Sequence, residues 1–359
     1  MRDVLPDIDR WREQGKPVAL ATVVQTWGSS PRTVGAKMAV TADGGMTGSV
    51  SGGCVEGAVF EEGTEALKTG RAKLVHFGVA DETAWEVGLA CGGSIDVFVQ
   101  PLDAEIYKAI RDALVTERPL VSATVVKGPA ALMGNGIVID EQAGIIGAIG
   151  SGLDEPVIAA ARAALAAGQS QHLPLTAEAE TAELFIEVML PSPVLIAVGG
   201  VHMSVALTAL AKTLGYRTVV VDPRKAFGNA NRFPHVDQLI QEWPDDALKQ
   251  TGLTRSTAIA MLTHDPKLDD PGLKIALPSP AFYVGALGSK GTQAKRRQRL
   301  LEEGITEEQM ARLRGPIGLD LGGRTPEEVA LAIMAEIVAA RNGRLSRESS
   351  RAPVKSQSG

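Results

Sequence analysis

The first half of this chain repeats itself, and the repeat limits the folds that the chain can adopt. The segment PVALATVV at Pro17–Val24 returns as PLVSATVV at Pro119–Val126. Further along, GSVSGGCVEGAV at Gly48–Val59 aligns with GAIGSGLDEPVI at Gly147–Ile158. The copies differ in length between these segments, where surface turns tolerate insertions. The repeat therefore predicts a duplicated structural unit.

Apolar and β-branched residues alternate before the glycine turn of each copy, and a helical period follows it. In the first copy the helix is predicted from about Cys54 to Lys68, and Gly70 is placed to end it. Each copy closes with an alternating strand, Ile95–Val99 in the first and Leu184–Val188 in the second. The simplest unit is β-β-α-β, so we expect an N-terminal α+β domain built from two such units.

The two copies differ most in their sulfur chemistry. The alignment pairs Gly53 with Gly152, Cys54 with Leu153 and Glu56 with Glu155. The glycine and the glutamate fit a shared turn and helix start, whereas the thiol is found in the first copy alone. Cys54 is therefore a candidate functional residue, and the alternative is a small residue packed in the interior.

The second half changes to long apolar strands that alternate with helices. Val194–Val198 lacks alternation and is predicted to be a buried parallel strand. It leads through Gly199 and Gly200 to a helix and a second strand ending in Asp222, the opening βαβ of a Rossmann-like doubly wound parallel sheet in an α/β protein. The further predicted elements are a helix at His202–Leu214, strands at Thr218–Val221, Ala258–Leu262 and Phe282–Val284, and a helix from Thr325 to Ala340 with a capping box and Pro326 at its start.

The linker Pro191–Pro193 sets the expected domain boundary. We predict the duplicated domain over residues 1–190, the Rossmann-like domain over residues 191–342, and a polar, disordered tail over residues 343–359. A length of 359 residues also fits two domains, because single domains usually hold about 100–200 residues.

Ligands of doubly wound sheets bind at the carboxyl ends of the strands, and a glycine turn that opens a helix offers free N–H groups to a phosphate. The cofactor-binding candidates at this edge are Gly199, Gly200, His202, Asp222, His264, Asp265, Gly288, Ser289 and Lys290. The basic run Lys295–Arg299 would reinforce anion binding, although a solvated helix face is its commoner meaning. The dinucleotide fingerprint is incomplete, because Val201 and Ser204 stand where glycines are expected. Ordinary NAD binding is accordingly disfavoured, despite the spacing of Asp222.

Composition excludes several classes of protein. The net charge of −6 and the isoelectric point near 5.5 give no basic footprint for nucleic acid. No apolar run reaches the roughly 20 residues of a membrane span, and the chain begins without a signal sequence, so the cytoplasm is the expected location. Two cysteines are too few for a disulfide scaffold, so both are interpreted as thiols.

Cys54 follows Gly52 and Gly53 at the predicted helix start, where the helix dipole lowers a thiol pKa. Cys91 precedes another glycine pair and is a second candidate, with burial beside a tight turn as the alternative. Gly52, Gly53, Arg32 and Glu56 are the cofactor-binding candidates of this half, although helix capping is the simpler role for Glu56. No metal site is predicted, because the five histidines show no ligand spacing with the cysteines.

These residues occur in motifs that resemble the XdhC/CoxI family over nearly the whole chain. The first-half motifs are TWGSSPRTVGAKM at Thr26–Met38, SGGCVE at Ser51–Glu56 and GLACGG at Gly88–Gly93. The second-half motifs are GGVH at Gly199–His202, VVDPR at Val220–Arg224, NRFP at Asn231–Pro234, LTHD at Leu262–Asp265, YVGALGSK at Tyr283–Lys290 and PIGLDLGGRTPEEVALAI at Pro316–Ile333. The family more usually has glycine where Val201 stands, a further difference from a working dinucleotide turn.

The resemblance implies an accessory protein that binds molybdenum cofactor as cargo and supports its sulfuration and insertion into a xanthine dehydrogenase-type molybdenum hydroxylase. It also implies a cysteine desulfurase as a partner and a homodimer. Cys54 would contact the molybdenum or dithiolene end of the cofactor, or would carry a persulfide. The chain would not itself be a xanthine dehydrogenase, because two cysteines cannot supply the four thiolates of an ordinary iron–sulfur cluster. The alternatives are an NAD(P)-dependent oxidoreductase and a degenerate interaction scaffold.

Overall fold

A computed structural model of the chain describes residues 1–78, 92–140, 142, 144–150, 152–177 and 180–345. Cys91 and most of the predicted tail, from residue 346, lie outside these residues. The chain separates into two compact units, Met1–Pro191 and Ser192–Gly359. The expected α/β fold is confirmed, with antiparallel sheets in the first unit and a parallel sheet in the second.

The first unit holds two antiparallel sheets with the same topology. The first copy consists of β1 (Val18–Trp27), β2 (Lys37–Thr41), β3 (Met46–Gly48), α2 (Glu56–Thr69), β4 (Lys73–Phe77) and β5 (Ser94–Pro101), preceded by α1 (Leu5–Glu13). After α3 (Ala104–Val115), the second copy consists of β6 (Leu120–Lys127), β7 (Gly136–Asp140), β8 (Gly144–Ala148), α4 (Asp154–Ala167), β9 (Gln171–Ala177) and β10 (Glu180–Met189). The strand orders β3-β2-β1-β5-β4 and β8-β7-β6-β10-β9 are equivalent, as a duplication requires.

Each copy contains more strands than the minimal β-β-α-β unit. The additional strands lie at or next to the sheet edges, where one side of a strand faces solvent and the apolar alternation fades. β3 has only three residues, and all five residues of β8 are at least partly exposed. Their sequences therefore lack the period that identified the central strands β1, β5, β6 and β10.

Helix α2 begins at Glu56, two residues after the predicted start. Gly52 and Gly53 have φ angles of 79° and 118°, values that favour glycine and keep the chain out of a right-handed helix. Gly70 ends the helix in the left-handed conformation, as predicted, with φ 68°. Cys54 consequently lies in a loop, residues 49–55, rather than in the first helical turn.

A buried ion pair joins the two sheets of the first unit. Lys37 on β2 donates to Glu187 on β10 across 2.7 Å, and the two side chains are 4% and 13% exposed. Thr22 accepts a second hydrogen bond from the same ammonium group at 3.2 Å. The duplicated copies thus meet through a charge from each of them, in an interior where an unpaired charge would be costly.

The second unit is a doubly wound parallel sheet. Its elements are β11 (Val194–Val198), α5 (His202–Thr213), β12 (Arg217–Val221), β13 (Gln238–Ile240), α6 (Pro244–Thr251), β14 (Thr257–Met261), α7 (Pro266–Ala276), β15 (Tyr283–Ala286), α8 (Lys290–Glu302), α9 (Glu307–Met310), β16 (Leu313–Arg314) and α10 (Pro326–Arg341). The order β13-β12-β11-β14-β15-β16 places the topological switch between β11 and β14. The capping box at Thr325 is confirmed. Within the described residues, no helix has the length and apolar character needed to cross a bilayer.

We predict that replacing Glu187 with glutamine lowers the free energy of unfolding of the first unit by about 3 kcal/mol, because the Lys37 charge stays buried without its partner. Urea denaturation followed by far-ultraviolet circular dichroism measures this loss. Replacing the pair together, with Lys37→Met and Glu187→Leu, should restore most of the stability. A single variant as stable as the native chain would contradict the assigned role of the pair.

Candidate functional site

The cysteine loop, residues 49–55, is organised by the carboxylate of Glu56. Its Oε1 accepts the N–H groups of Val50 (3.2 Å), Ser51 (2.9 Å) and Gly52 (3.0 Å) and the hydroxyl of Ser49 (2.6 Å), and its Oε2 accepts the N–H of Gly53 (2.8 Å) and the hydroxyl of Ser51 (2.5 Å). One carboxylate therefore occupies the anion-binding concavity that the loop forms with its backbone.

The hydrogen bonds determine the ionisation of Glu56. Burial alone would raise the pKa of this carboxyl, but donation by the Ser49 and Ser51 hydroxyls and by loop amides outweighs it and lowers the pKa to about 2. Glu56 is therefore ionised at neutral pH and serves the loop itself. These bonds fit the capping alternative for Glu56, and its contact with a cofactor stays a prediction.

Cys54 is exposed and forms no disulfide. Its N–H donates to the Ser51 hydroxyl at 2.9 Å, so the backbone beneath the thiol is fixed while the side chain faces solvent. The alternative of a packed interior residue is not what the structure shows. The N–H groups of Gly52 and Gly53 donate to Glu56, so these two amides hold the loop. Contact of either glycine with a cofactor stays a prediction.

Three glycine-bearing segments of the first unit meet at this loop. A side-chain carbon on Gly93 would lie 2.2 Å from the carbonyl oxygen of Ser29, so the backbones of these two segments touch. Pro31, in the same loop as Ser29, lies 3.8 Å from the Cβ position of Gly52. The motifs around Ser29, Gly52 and Gly93, which are far apart in sequence, thus lie together in the fold. Cys91, two residues before Gly93, lies outside the described residues.

Arg32 lines a cleft of about 500 Å³ beside these segments. Pro31 and Glu187 line the same cleft. The Arg32 guanidinium reaches Asp3 at 3.5 Å, a long contact, and its Nε has no hydrogen-bond partner within the described part of the chain. An unsatisfied guanidinium nitrogen at an open cleft suits an anionic ligand.

The structure corrects the alignment of the two copies at the helix start. Val40 on β2 pairs with Met46 on β3, and Ile139 on β7 pairs with Ile145 on β8, so β3 and β8 occupy equivalent positions in the two copies. Helix α4 nevertheless begins fewer residues after β8 than α2 does after β3. The carboxylate equivalent to Glu56 is therefore on Asp154, which accepts from the Ile149 and Gly150 amides at 2.6 and 3.3 Å, and not on Glu155. Likewise Val55 and Leu153 occupy equivalent buried positions, so Leu153 does not replace Cys54.

In the second unit, Asp222, which has the spacing of a ribose-binding acid, forms its hydrogen bonds with the protein itself. Asp222 is fully buried, and it accepts the N–H of Gly200 at 2.8 Å and two hydrogen bonds from the Arg224 guanidinium at 2.9 and 2.8 Å. Burial raises its pKa, but the bonds from Arg224 and Gly200 prevail and lower it. The carboxylate has no surface to offer a ribose. The missed partner is Arg224, two residues further along the chain.

The glycine turn after β11 is closed by the chain itself. A side-chain carbon on Gly200 would lie 2.5 Å from the carbonyl oxygen of Phe227, and one on Gly199 would lie 2.6 Å from the Thr263 methyl. Dinucleotide sites use such glycines to admit a pyrophosphate. Here the loop that contains Phe227 packs against Gly200, so the turn lacks the space for a standard dinucleotide.

The other candidates of the second unit lie on its strand ends. His202 begins α5, is exposed and lies 3.6 Å from Glu327. His264 follows β14 in the left-handed conformation, with φ 62°, and is exposed. Asp265 caps α7 by accepting the Lys267 amide at 2.9 Å. Backbone strain at a non-glycine residue often marks a functional position, which makes His264 the stronger of the two histidine candidates.

The candidates Gly288, Ser289 and Lys290 lie at the start of α8, and Ser289 is the N-cap of that helix. Within the part of the chain that is described, no three His, Cys, Asp or Glu side chains are grouped so that they could hold a metal ion.

Comparison with known proteins identifies both halves of the chain. A family model described as XdhC and CoxI family matches residues 11–78, and one described as XdhC Rossmann domain matches residues 195–337. A probable xanthine dehydrogenase subunit of Bacillus subtilis (strain 168) is 29% identical over 339 residues, which span 93% of this chain and 96% of that protein. The molybdenum cofactor insertion chaperone PaoD of Escherichia coli (strain K12) is 27% identical over 330 residues, which span 91% of this chain and 84% of that protein.

A crystal structure described as a xanthine dehydrogenase from Bacillus halodurans has the same fold. It aligns with a TM-score of 0.74 over 96% of this chain and 98% of that chain, at 24% sequence identity. At that level of identity the similarity shows the fold alone.

We predict that replacing Glu56 with glutamine loosens the cysteine loop. Amide hydrogen exchange at Ser51, Gly52 and Gly53 should accelerate by roughly tenfold or more, since hydrogen bonds to a charged group contribute about 1.5–3 kcal/mol. The matched control is Asp154→Asn, which should affect Ile149 and Gly150 and leave the cysteine loop unchanged. Unaltered exchange at Gly52 and Gly53 in the Glu56 variant would refute this account of the loop.

The pH dependence of the loop follows from the lowered pKa of Glu56. A carboxyl whose pKa is lower in the folded state than in the unfolded state stabilises the fold at every pH above its unfolded-state pKa. The slow exchange of the loop amides should therefore hold at neutral pH, weaken as the pH falls below 4.5, and be lost as it falls through about 2. Exchange corrected for its intrinsic pH dependence measures this trend, and protection that fades already between pH 7 and 5 would contradict it.

Proposed function

This chain belongs to the XdhC and CoxI family, and from that premise we propose that it binds molybdenum cofactor as cargo and supports its insertion into a xanthine dehydrogenase-type hydroxylase. The observation that carries the proposal is the exposed thiol of Cys54 on a loop fixed by Glu56, where three glycine-bearing segments meet. The names of the two curated relatives, one a cofactor insertion chaperone and the other a probable component of a dehydrogenase, agree with this role.

The geometry suits transient holding of an anionic cargo. The cofactor brings its own sulfur ligands for molybdenum, so the protein need not supply a cluster of metal ligands. The chain's own contributions are an exposed thiol at Cys54 and the partly unsatisfied guanidinium of Arg32 at a cleft of about 500 Å³. A site with few fixed contacts and open access to solvent is appropriate for a ligand that must be released to a client.

Cys54 has two possible roles within this function. In the first it contacts the molybdenum or dithiolene end of the cargo. In the second it accepts a sulfane sulfur from the persulfide of a cysteine desulfurase, whose own thiol is released, and then supports sulfuration of the cargo. We propose a homodimer and a desulfurase partner together with this second role. Cys91, the other thiol in the chain, is proposed as an auxiliary group.

The closed glycine turn favours a maturation role over nicotinamide chemistry. The Asp222 carboxylate is buried under Arg224, and the Phe227 carbonyl oxygen fills the approach to Gly200. An NAD(P)-dependent oxidoreductase needs both positions open for its cofactor. The chain is therefore proposed as a cofactor chaperone without turnover of its own.

We predict that Cys54→Ser reduces molybdenum cofactor loading of the client hydroxylase at least tenfold, because the replacement removes the thiol and keeps the loop backbone. Loading is measured as bound pterin, by fluorescence after oxidation, and as client activity. The melting temperature should stay unchanged, since the side chain is exposed. The matched control is Glu61→Gln, an exposed change on α2, which follows the same loop.

Two outcomes of that experiment decide the proposal. Full client activity with Cys54→Ser would refute the role of the thiol. Failure of the native chain to retain any pterin when purified from cofactor-producing cells would refute the function itself. Mass spectrometry after incubation with a cysteine desulfurase and cysteine separates the two roles of Cys54, because the second role requires a mass increase of one sulfur that Cys54→Ser lacks.

We also predict that the chain shows no saturable binding of NADH or NADPH. Titration followed by nicotinamide fluorescence checks this expectation directly. Tight nicotinamide binding combined with no retention of pterin would reverse the assignment in favour of an oxidoreductase.

A further inference from the structure

A basic cleft lies between the N-terminal ends of α7 and α8 in the second unit. Its volume is about 360 Å³. The side chains of His264, Lys295, Arg296 and Arg299 line it, together with the first turn of α8. None of the described residues that line the cleft is acidic. The cleft lies at the carboxyl ends of β14 and β15, one strand beyond the topological switch.

The helix start in this cleft has N–H groups to spare. The hydroxyl of Ser289 accepts the Thr292 amide at 3.2 Å, which satisfies one donor of the first turn. The amides of Lys290 and Gly291 have no partner within the described residues. A side-chain carbon on Gly291 would meet nothing closer than the Ser289 hydroxyl at 3.8 Å. Glycine at this position is thus not required by the protein's own packing, and it leaves the helix end open to a ligand.

The charges of the cleft are only partly neutralised. Arg296 pairs with Asp269 at 2.8 Å, and Arg299 pairs with Asp270 at 2.6 Å. Lys295 has no hydrogen-bond or ion-pair partner among the described residues. Arg296 is 2% exposed, yet its Nε has no hydrogen-bond partner there. A buried donor without an acceptor is costly, and a bound anion would relieve that cost.

The cleft offers what the glycine turn after β11 lacks. At that turn, the Gly200 amide is already committed to Asp222 and the space is filled by the Phe227 carbonyl oxygen. At α8, within the described part of the chain, the amides of Lys290 and Gly291 are free and the space beside Gly291 is open. The turn between β15 and α8 therefore has the free amides and the open space that an anion needs, and the first βα turn does not.

We propose that this cleft is a phosphate-binding site that takes a phosphomonoester or pyrophosphate group. The free amides of Lys290 and Gly291 and the hydroxyl groups of the first turn orient the phosphoryl oxygens, and Lys295 neutralises their charge. The volume admits a pyrophosphate and a small part of its attached group, so the remainder of the ligand extends into solvent. The inference stands on the geometry of the second unit and does not require the proposed role of Cys54.

The test uses the full chain and titration calorimetry with sodium pyrophosphate and with ADP, in the absence of any pterin. The native chain should bind pyrophosphate, and its affinity should fall as salt is added. Gly291→Asp should abolish binding, because it places a carboxylate in the cleft. An acidic residue in the first turn also favours the helix, so the fold is retained. Lys295→Gln should weaken binding about tenfold.

The control variant is Lys249→Gln, which removes the same charge from α6 and should leave the affinity unchanged. Hydrogen exchange locates the ligand, since pyrophosphate should slow exchange at Lys290 and Gly291. No pyrophosphate binding at millimolar concentration, or equal binding by the native chain and Gly291→Asp, would overturn the proposal.

The source of the phosphate is decided by a second measurement on the same variants. If Gly291→Asp lowers pterin retention in cofactor-producing cells, the cleft holds the phosphate of the cargo. If pterin retention is unchanged while ADP binding is lost, the cleft holds a free nucleotide. Either result supports the site, and both remain distinguishable from a failure of the cofactor chaperone function, in which the native chain retains no pterin at all.

Discussion

The hydrogen bonds of the Glu56 carboxylate are the interaction on which the cysteine loop of the first unit depends. Val50 and Val55 hold the ends of this loop in the core, but the segment between them, with two left-handed glycines and an exposed cysteine, has no hydrophobic reason to adopt one shape. The carboxylate supplies that reason, because it collects successive backbone N–H groups that would otherwise need water. Preorganisation of this kind places a reactive group without burying it.

A carboxylate that accepts backbone N–H groups also occurs in the second unit, with a different consequence. There Asp222 collects the amide of Gly200 and the guanidinium of Arg224. In a dinucleotide-binding protein that amide and that carboxylate serve the ligand. Here an internal anion and an internal cation satisfy each other, so the fold of a nucleotide-binding domain persists after its usual site has closed. Fold and function are separable for this reason.

Much of the architecture could be predicted from the sequence, because buried strands and amphipathic helices have periods that a single chain reveals. The duplication, the parallel strand Val194–Val198 and the capping box at Thr325 are of this kind. The start of α2 was harder, since residue types do not report that Gly52 and Gly53 both adopt positive φ. The equivalence of Glu56 and Asp154 was also hidden, because the two loops differ in length. Partners such as Arg296 and Asp269 come from different helices, and only the fold brings them together.

The Lys37–Glu187 pair has a consequence for how this chain could have diverged from a simpler ancestor. Lys37 lies on β2, whose counterpart in the second copy is β7, and Glu187 lies on β10, whose counterpart in the first copy is β5. A copy paired with a duplicate of itself would therefore bury one of these charges without its partner. An ancestral assembly of two identical copies would have needed another interior at this point. The asymmetry of this ion pair now commits the two copies to one another.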